Sequence, residues 1–232
     1  MHGWLAMSAP TVCCLTDGSG ASAEPRIHET RRLLARAGAR PGAIFGAVAD
    51  RAIYDAMLAR DVELFRHLVG ELTVVFSGVD YVVGDASEGY NPAHDVCRLV
   101  IDAAVRRARE RSGRSIASYA FPLVGPPRPW TESGPDDVDL LLDDGALARK
   151  LEAARNYVAL DAEVALALGQ LGPEAFRCEA FAHVADGGTV AGDEQPFYER
   201  YGEQRVSEGA YARVIRLREH VLPIAEALRC GF

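Results

Sequence analysis

The chain has 232 residues, of which 49% are hydrophobic and 25% charged, with a formal net charge of −8 and a pI near 5.3. That length and balance fit one globular α/β domain with a sizeable core, and the acidity argues against a nucleic-acid partner, which would need a basic face. Residues 1–8 lack the pattern of a secretory leader, no apolar run reaches membrane-span length, and the five cysteines, Cys13, Cys14, Cys97, Cys178 and Cys230, show no zinc-ribbon or redox spacing, so the expected setting is a reducing cytoplasm with no membrane partner.

Residues 9–15 are apolar without alternation and predict a buried strand. Thr16-Asp17-Gly18-Ser19-Gly20 follows as a polar turn. It has neither Walker A nor Gly-x-Gly-x-x-Gly spacing, so a strand-to-helix turn is favoured over a phosphate cradle. A helix is predicted over 24–37, with Ile27, Leu33, Leu34 and Ala37 inward and Gly38 ending it. Residues 43–48 predict a short strand. Asp50, Arg51 and Tyr54 predict a helix start with a surface ion pair. A helix over 61–68, a buried strand over 72–77 and a strand ending at Gly84 come next.

The helix over 96–109 places Val96, Leu99, Val100, Ala103, Ala104 and Ala108 on one face. Residues 116–121 predict another strand. This alternation implies a parallel sheet with crossover helices. Beyond it lie a Pro/Gly-rich loop at 122–135 and a mainly helical part of the same domain at 136–232. There we expect one long helix over 146–171, a strand or short helix over 174–183, a loop over 185–195 and a final helix over 207–228, interrupted near Pro223. Asp136, Asp137, Asp139, Asp143 and Asp144 read as a solvated acidic face without calcium-loop spacing.

The most informative segment is Glu88-Gly89-Tyr90-Asn91-Pro92-Ala93-His94-Asp95, between a strand and a helix. In an open α/β sheet such a loop lies at the carboxyl edge of the strands, where ligands bind. Asn91 reads as a helix cap, Pro92 suits the first turn and Asp95 favours the helix dipole. That account leaves Glu88, Tyr90 and His94 unexplained, and His94 is placed to face a cleft.

Three segments resemble the LmbE/PIG-L family of zinc-dependent N-deacetylases. Val12 to Gly18, with Arg26 and Glu29, resembles the second strand, its Thr-Asp-Gly loop and the next helix. Glu88 to Asp95 resembles the metal-ligand loop His-Pro-Asp-His. Tyr198 to Gly202 and Tyr211 to Pro223, including Arg216, Arg218, Glu219 and His220, resemble the C-terminal region of a bacterial branch. The resemblance implies a Rossmann-like, mostly parallel sheet flanked by helices, in one domain spanning 1–232. It also implies one zinc ion and hydrolysis of an N-acetyl group on an amino sugar or sugar-containing metabolite.

Mapped by position, His94 is the implied metal ligand. Asn91 stands where the family has a catalytic His, and Ala93 where it has an Asp. Glu88 and Tyr90 are the residues expected to share the catalytic role with Asn91. Asp17, Arg26, Asp50 and Arg51 are expected near substrate. The family's first motif, His-Pro-Asp-Asp, supplies two further ligands and the general base, and it precedes the Thr-Asp-Gly loop. Only 15 residues precede Thr16, so these residues are expected to hold an incomplete zinc site and a sheet without its first strand. The competing expectation is a non-catalytic homologue that binds a small molecule or partner.

Overall fold

A computed structural model of the chain describes residues 1–20, 24–127, 134–185 and 194–230. The elements run α1 (His2–Ser8), β1 (Thr11–Thr16), α2 (Ile27–Arg36), β2 (Arg40–Val48), α3 (Asp50–Ala59), α4 (Val62–Phe76), β3 (Tyr81–Asp85), α5 (Pro92–Ser112) and β4 (Ala117–Phe121). They continue with β5 (Val138–Leu141), α6 (Asp144–Arg155), α7 (Asp161–Leu171), β6 (Cys178–His183), α8 (Phe197–Ser207) and α9 (Leu222–Arg229). The protein is mixed α/β with open sheets. Its contacts divide it into two compact units, Met1–Ala49 with Phe121–His183 and Asp50–Ala120 with Val184–Phe232. Among the described residues no helix is long and apolar enough to cross a membrane.

In the first unit β1 and β2 pair in parallel, from Thr11 opposite Arg40 to Thr16 opposite Val48. The helix between them, α2, buries Leu34 in a cluster with Leu5, Ala39 and Ala37, which caps its C-terminus, and Leu33, Val12 and Phe45 pack against it. This is the βαβ arrangement that the alternating pattern predicts. In the same unit β5 and β6 pair antiparallel. Glu179 of β6 is buried and accepts hydrogen bonds from the backbone N–H of Gly3 at 3.0 Å and Trp4 at 2.9 Å. Burial opposes its charge, but the Met1 amino group, Lys150 and these two amides hold the carboxyl down at about 2.

In the second unit α4, α5 and α9 pack on one another. Phe65, Leu68, Val69, Leu72 and Phe76 of α4 are buried, as are Val96, Val100, Ala103, Ala104 and Ala108 of α5 and Ile224, Ala225 and Leu228 of α9. The predicted inner face of α5 is the buried one. The strand expected over 72–77 is instead the last part of α4. Its β-branched run mimics a buried strand. The core spacing set by Phe65, Leu68, Val69, Leu72 and Phe76 is helical, and it turns Val74 out to 62% exposure. Packing of that stripe overrides local propensity. Thr73 satisfies its hydroxyl by donating to the Val69 carbonyl at 2.7 Å.

Two other long helices are broken. The span 146–171 holds α6 and α7, separated by a 3-10 turn at Val158–Leu160. The span 207–228 begins at the end of α8, turns at Gly209 with φ 73, and resumes as a π-helical turn at Leu217–Val221 leading into α9. Pro223 sits in the first turn of α9 directly after the π-helical turn, so the run is helical on both sides of it and the N–H it lacks falls at that junction. Residues 174–183 combine both expectations: a 3-10 turn at Pro173–Arg177 and then β6. Parts of the loops expected over 122–135 and 185–195, residues 128–133 and 186–193, lie outside the described residues.

Candidate functional site

Strand β3 ends at Asp85 and α5 begins at Pro92, so residues 86–91 form the loop at the carboxyl end of β3. β3 lies next to β4 in its sheet. Asn91 caps α5: its Oδ1 accepts the Ala93 N–H at 2.9 Å and also the Tyr54 hydroxyl at 3.1 Å. With Oδ1 doubly engaged, Nδ2 is the end of the amide that remains to donate. Gly89, at φ 65, supplies a left-handed bend that a side chain would strain.

That bend is held from below. Asp95 is 1% exposed, and its Oδ1 accepts the N–H groups of Glu88 at 3.0 Å and Gly89 at 3.2 Å. Burial pushes the Asp95 carboxyl above its ordinary range, against the pull of these amides and of His94. Its Oδ2 is buried without a hydrogen-bond partner, as is the Tyr198 hydroxyl. Burial, with the charges of Asp95 and Glu199, pushes the Tyr198 phenol up. Asp95 is therefore the keystone of the loop, beyond the dipole role its sequence position suggests.

His94 is half-buried in the first turn of α5, with its side chain 44% exposed. Its Nδ1 lies 2.6 Å from Asp85 Oδ2. Burial lowers the imidazole, but the hydrogen bond and charge of Asp85, helped by Asp95 and Glu88, outweigh it and leave the group raised above 6.5. Asp85 is the residue sequence reasoning missed. The available signal was a carboxylate ending a strand just before a ligand-type loop. A carboxylate on Nδ1 fixes the imidazole and leaves Nε2 to act, which suits either a general base or a metal ligand.

The other expected residues are distributed differently. Tyr90 turns to the surface and stacks on Phe197, with centroids 4.9 Å apart. Asp17 and Arg26 belong to the first unit and build a turn. There Asp17 Oδ1 accepts the Ser19 N–H at 2.9 Å, the Arg26 N–H donates to the Asp17 carbonyl, and the Arg26 guanidinium donates to the Gly18 carbonyl. Asp50 starts α3 and Arg51 forms an exposed pair with Asp55 at 3.7 Å. The sequence points to a surface pair at Asp50-Arg51, whereas Arg51 takes Asp55, and such pairs contribute little. In the acidic stretch, Asp143 caps α6, Asp137 accepts from His183 and Gly134, and Asp144 pairs with Arg177.

Among the described residues no group of three or more His, Cys, Asp and Glu side chains is placed to hold a metal ion. His94 and Asp85 amount to one donor and its orienting carboxylate, whereas a catalytic zinc takes three protein ligands. These residues alone do not make a zinc site. A separate cleft of about 100 Å³ in the same unit is lined by Leu99, Asp102, Arg106, Arg109 and Leu228 among others and contains none of the expected site residues. No protein-family model, curated protein or solved structure matches this chain.

Proposed function

We propose that this chain is a Rossmann-like relative of the LmbE/PIG-L deacetylases and hydrolyses the N-acetyl amide of an amino sugar or sugar-containing metabolite. The observation that carries this reading is the carboxylate-backed imidazole, His94 with Asp85 at 2.6 Å, at the carboxyl end of β3. In that arrangement neutral His94 takes a proton from an attacking water through Nε2, and Asp85 stabilises the imidazolium that forms. The imidazolium then returns the proton to the leaving amine as the C–N bond breaks. Asn91, with Oδ1 occupied by Ala93 and Tyr54, has Nδ2 to donate to the developing oxyanion.

The zinc ion implied by the resemblance needs donors that these residues do not supply. The proton chemistry stands on the imidazole and the carboxylate. The five cysteines, all free, suit the cytoplasmic setting that we propose.

The test is amine release from a panel of N-acetyl sugars. His94→Ala is expected to lower kcat/KM by about 10²–10⁴-fold, the usual contribution of a general base. Asp85→Asn is expected to cost about 10–100-fold, the scale of losing an orienting partner. Release that is unchanged in His94→Ala, or no release from any sugar by the native chain, refutes the reading.

A second reading is the alternative raised by the sequence, a non-catalytic homologue that binds a small molecule or partner. It predicts sugar binding with no amine release, and no zinc retained in His94→Ala or in the native protein.

A further inference from the structure

We infer that Tyr90, Phe197, Tyr201 and Tyr211 form a binding platform for a neutral oligosaccharide, so that the molecule presented to His94 is a chain of sugar rings. This rests on the reading above that the site takes a sugar. The rings are clustered yet wet: Tyr90 is 49% exposed, Phe197 42%, Tyr201 43% and Tyr211 48%. Contiguous exposed apolar surface of this kind marks a binding site more often than isolated exposed residues do.

The row begins at the site, and its last ring, Tyr211, lies within electrostatic range of Tyr54, the partner of Asn91. Tyr90 belongs to the His94 loop. Phe197 and Tyr201 stand four residues apart on one face of α8, and the Tyr198 N–H ties the start of that helix to the Gly89 carbonyl at 3.3 Å. Tyr90 and Phe197 are nearly parallel, 6° apart with centroids at 4.9 Å. Phe197 and Tyr201 follow at 17° and 5.9 Å, and Tyr201 meets Tyr211 edge-on at 77° and 6.5 Å. These separations lie in the usual range for aromatic pairs, and each of the four residues keeps more than two fifths of its surface in solvent.

An aromatic face carries negative charge density. The C–H face of a pyranose offers it polarised hydrogens and leaves the sugar hydroxyls at the edge for water and side chains. A nucleobase would also stack, but Arg205, the guanidinium placed over the Tyr211 ring at 5.7 Å, already has a carboxylate partner that a phosphate would have to displace. Arg205 is held by Glu208 at 2.5 Å and Arg216 by Glu203 at 2.8 Å, and the whole chain carries −8. Charge therefore selects the neutral ligand.

The experiment is calorimetric titration of the full chain with N-acetylglucosamine, its linear trimer and an oligothymidylate, with amine release measured separately. The trimer is expected to bind at least tenfold more tightly than the single sugar. Phe197→Ala and Tyr201→Ala are expected to reduce that advantage below threefold. Tyr201→Phe, which keeps the ring, is expected to preserve it, and near-UV circular dichroism confirms that the variants are folded. Equal binding of trimer and monomer, an advantage that survives both alanine variants, no sugar binding, or tighter binding of the oligothymidylate overturns the inference. Length-dependent binding without amine release keeps the platform and removes the deacetylase reading. Amine release without a length preference does the reverse.

Discussion

The loop between β1 and α2 and the loop between β3 and α5 each carry a strand into a helix, and each places an aspartate, a glycine and further polar residues in the turn. In the first, the turn is closed by its own residues: Asp17 accepts from Ser19, and Arg26 reaches back to Asp17 and Gly18. In the second, Asp95 closes the bend from inside the helix, using both loop amides. The side chains at its rim, His94 with Asp85 and the Nδ2 end of Asn91, are thereby left for chemistry. A strand-to-helix loop becomes a site when a buried residue takes over the work of holding it.

The largest test of that comparison is stability. Asp95→Ala strands two amides in a buried place, and an unsatisfied buried donor costs about 1–3 kcal/mol. We expect a loss of about 2–4 kcal/mol, tempered by removal of a carboxylate that burial already disfavours. Asp17→Ala loses the turn bond from Ser19 at a half-buried position and is expected to cost about 1 kcal/mol, the scale of a cap. Urea denaturation of both variants measures the difference. Equal losses, or the reverse order, would break the contrast between the loops.

A second test is pH. His94 is raised above its ordinary 6.5, with burial opposed and outweighed by Asp85, Asp95 and Glu88. A base raised in the folded state stabilises fully below pH 6.5, and that stabilisation is lost as pH climbs through the raised value. Catalysis runs the other way, since a general base must be neutral, so amine release is expected to rise across the same window. Asp85→Asn removes the hydrogen-bonded charge but not the burial, and should move the midpoint down. NMR titration of the His94 ring protons checks this, and a native midpoint at or below 6.5 contradicts it. His220 is the internal control. Burial lowers it and its Nδ1 accepts the Arg216 N–H at 2.9 Å, so its contribution is present above pH 6.5 and is lost as pH falls.

What the sequence made legible follows from locality. Asn91, Pro92 and the inner face of α5 depend on spacing within one element, and the structure bears them out. Asp85 lies nine residues before His94 with no fixed motif between them, so only the fold joins the pair. The row from Tyr90 to Tyr211 is further removed, because it needs α8 to lie beside the loop. The strand expected over 72–77 failed for the same reason in reverse. Five residues of β-branched and apolar character, Leu72 to Phe76, satisfy a strand locally, and only the stripe begun at Phe65 shows that they continue a helix. Whether the loop acts on a sugar is not written in its spacing at all, since a His and an Asp at a strand end serve many chemistries.

The smallest expected effect concerns hydroxyls, and it sharpens the same comparison. Beside the β3–α5 loop, the Tyr198 hydroxyl is buried without a hydrogen-bond partner, as is Asp95 Oδ2. In the first unit, the hydroxyl of Tyr157 bonds Thr30 Oγ1 of α2 at 2.9 Å. Removing a satisfied hydroxyl loses about 0.5–1.5 kcal/mol, whereas removing an unsatisfied buried one is neutral or favourable. Tyr157→Phe is therefore expected to destabilise by about 1 kcal/mol, and Tyr198→Phe to leave stability unchanged or raise it by up to about 1 kcal/mol. A loss above 1 kcal/mol in Tyr198→Phe would show that a buried water joins its hydroxyl to Asp95. The loop would then be closed by a solvent-linked network, and the contrast with the self-sufficient Asp17 turn would lie in water as well as in side chains.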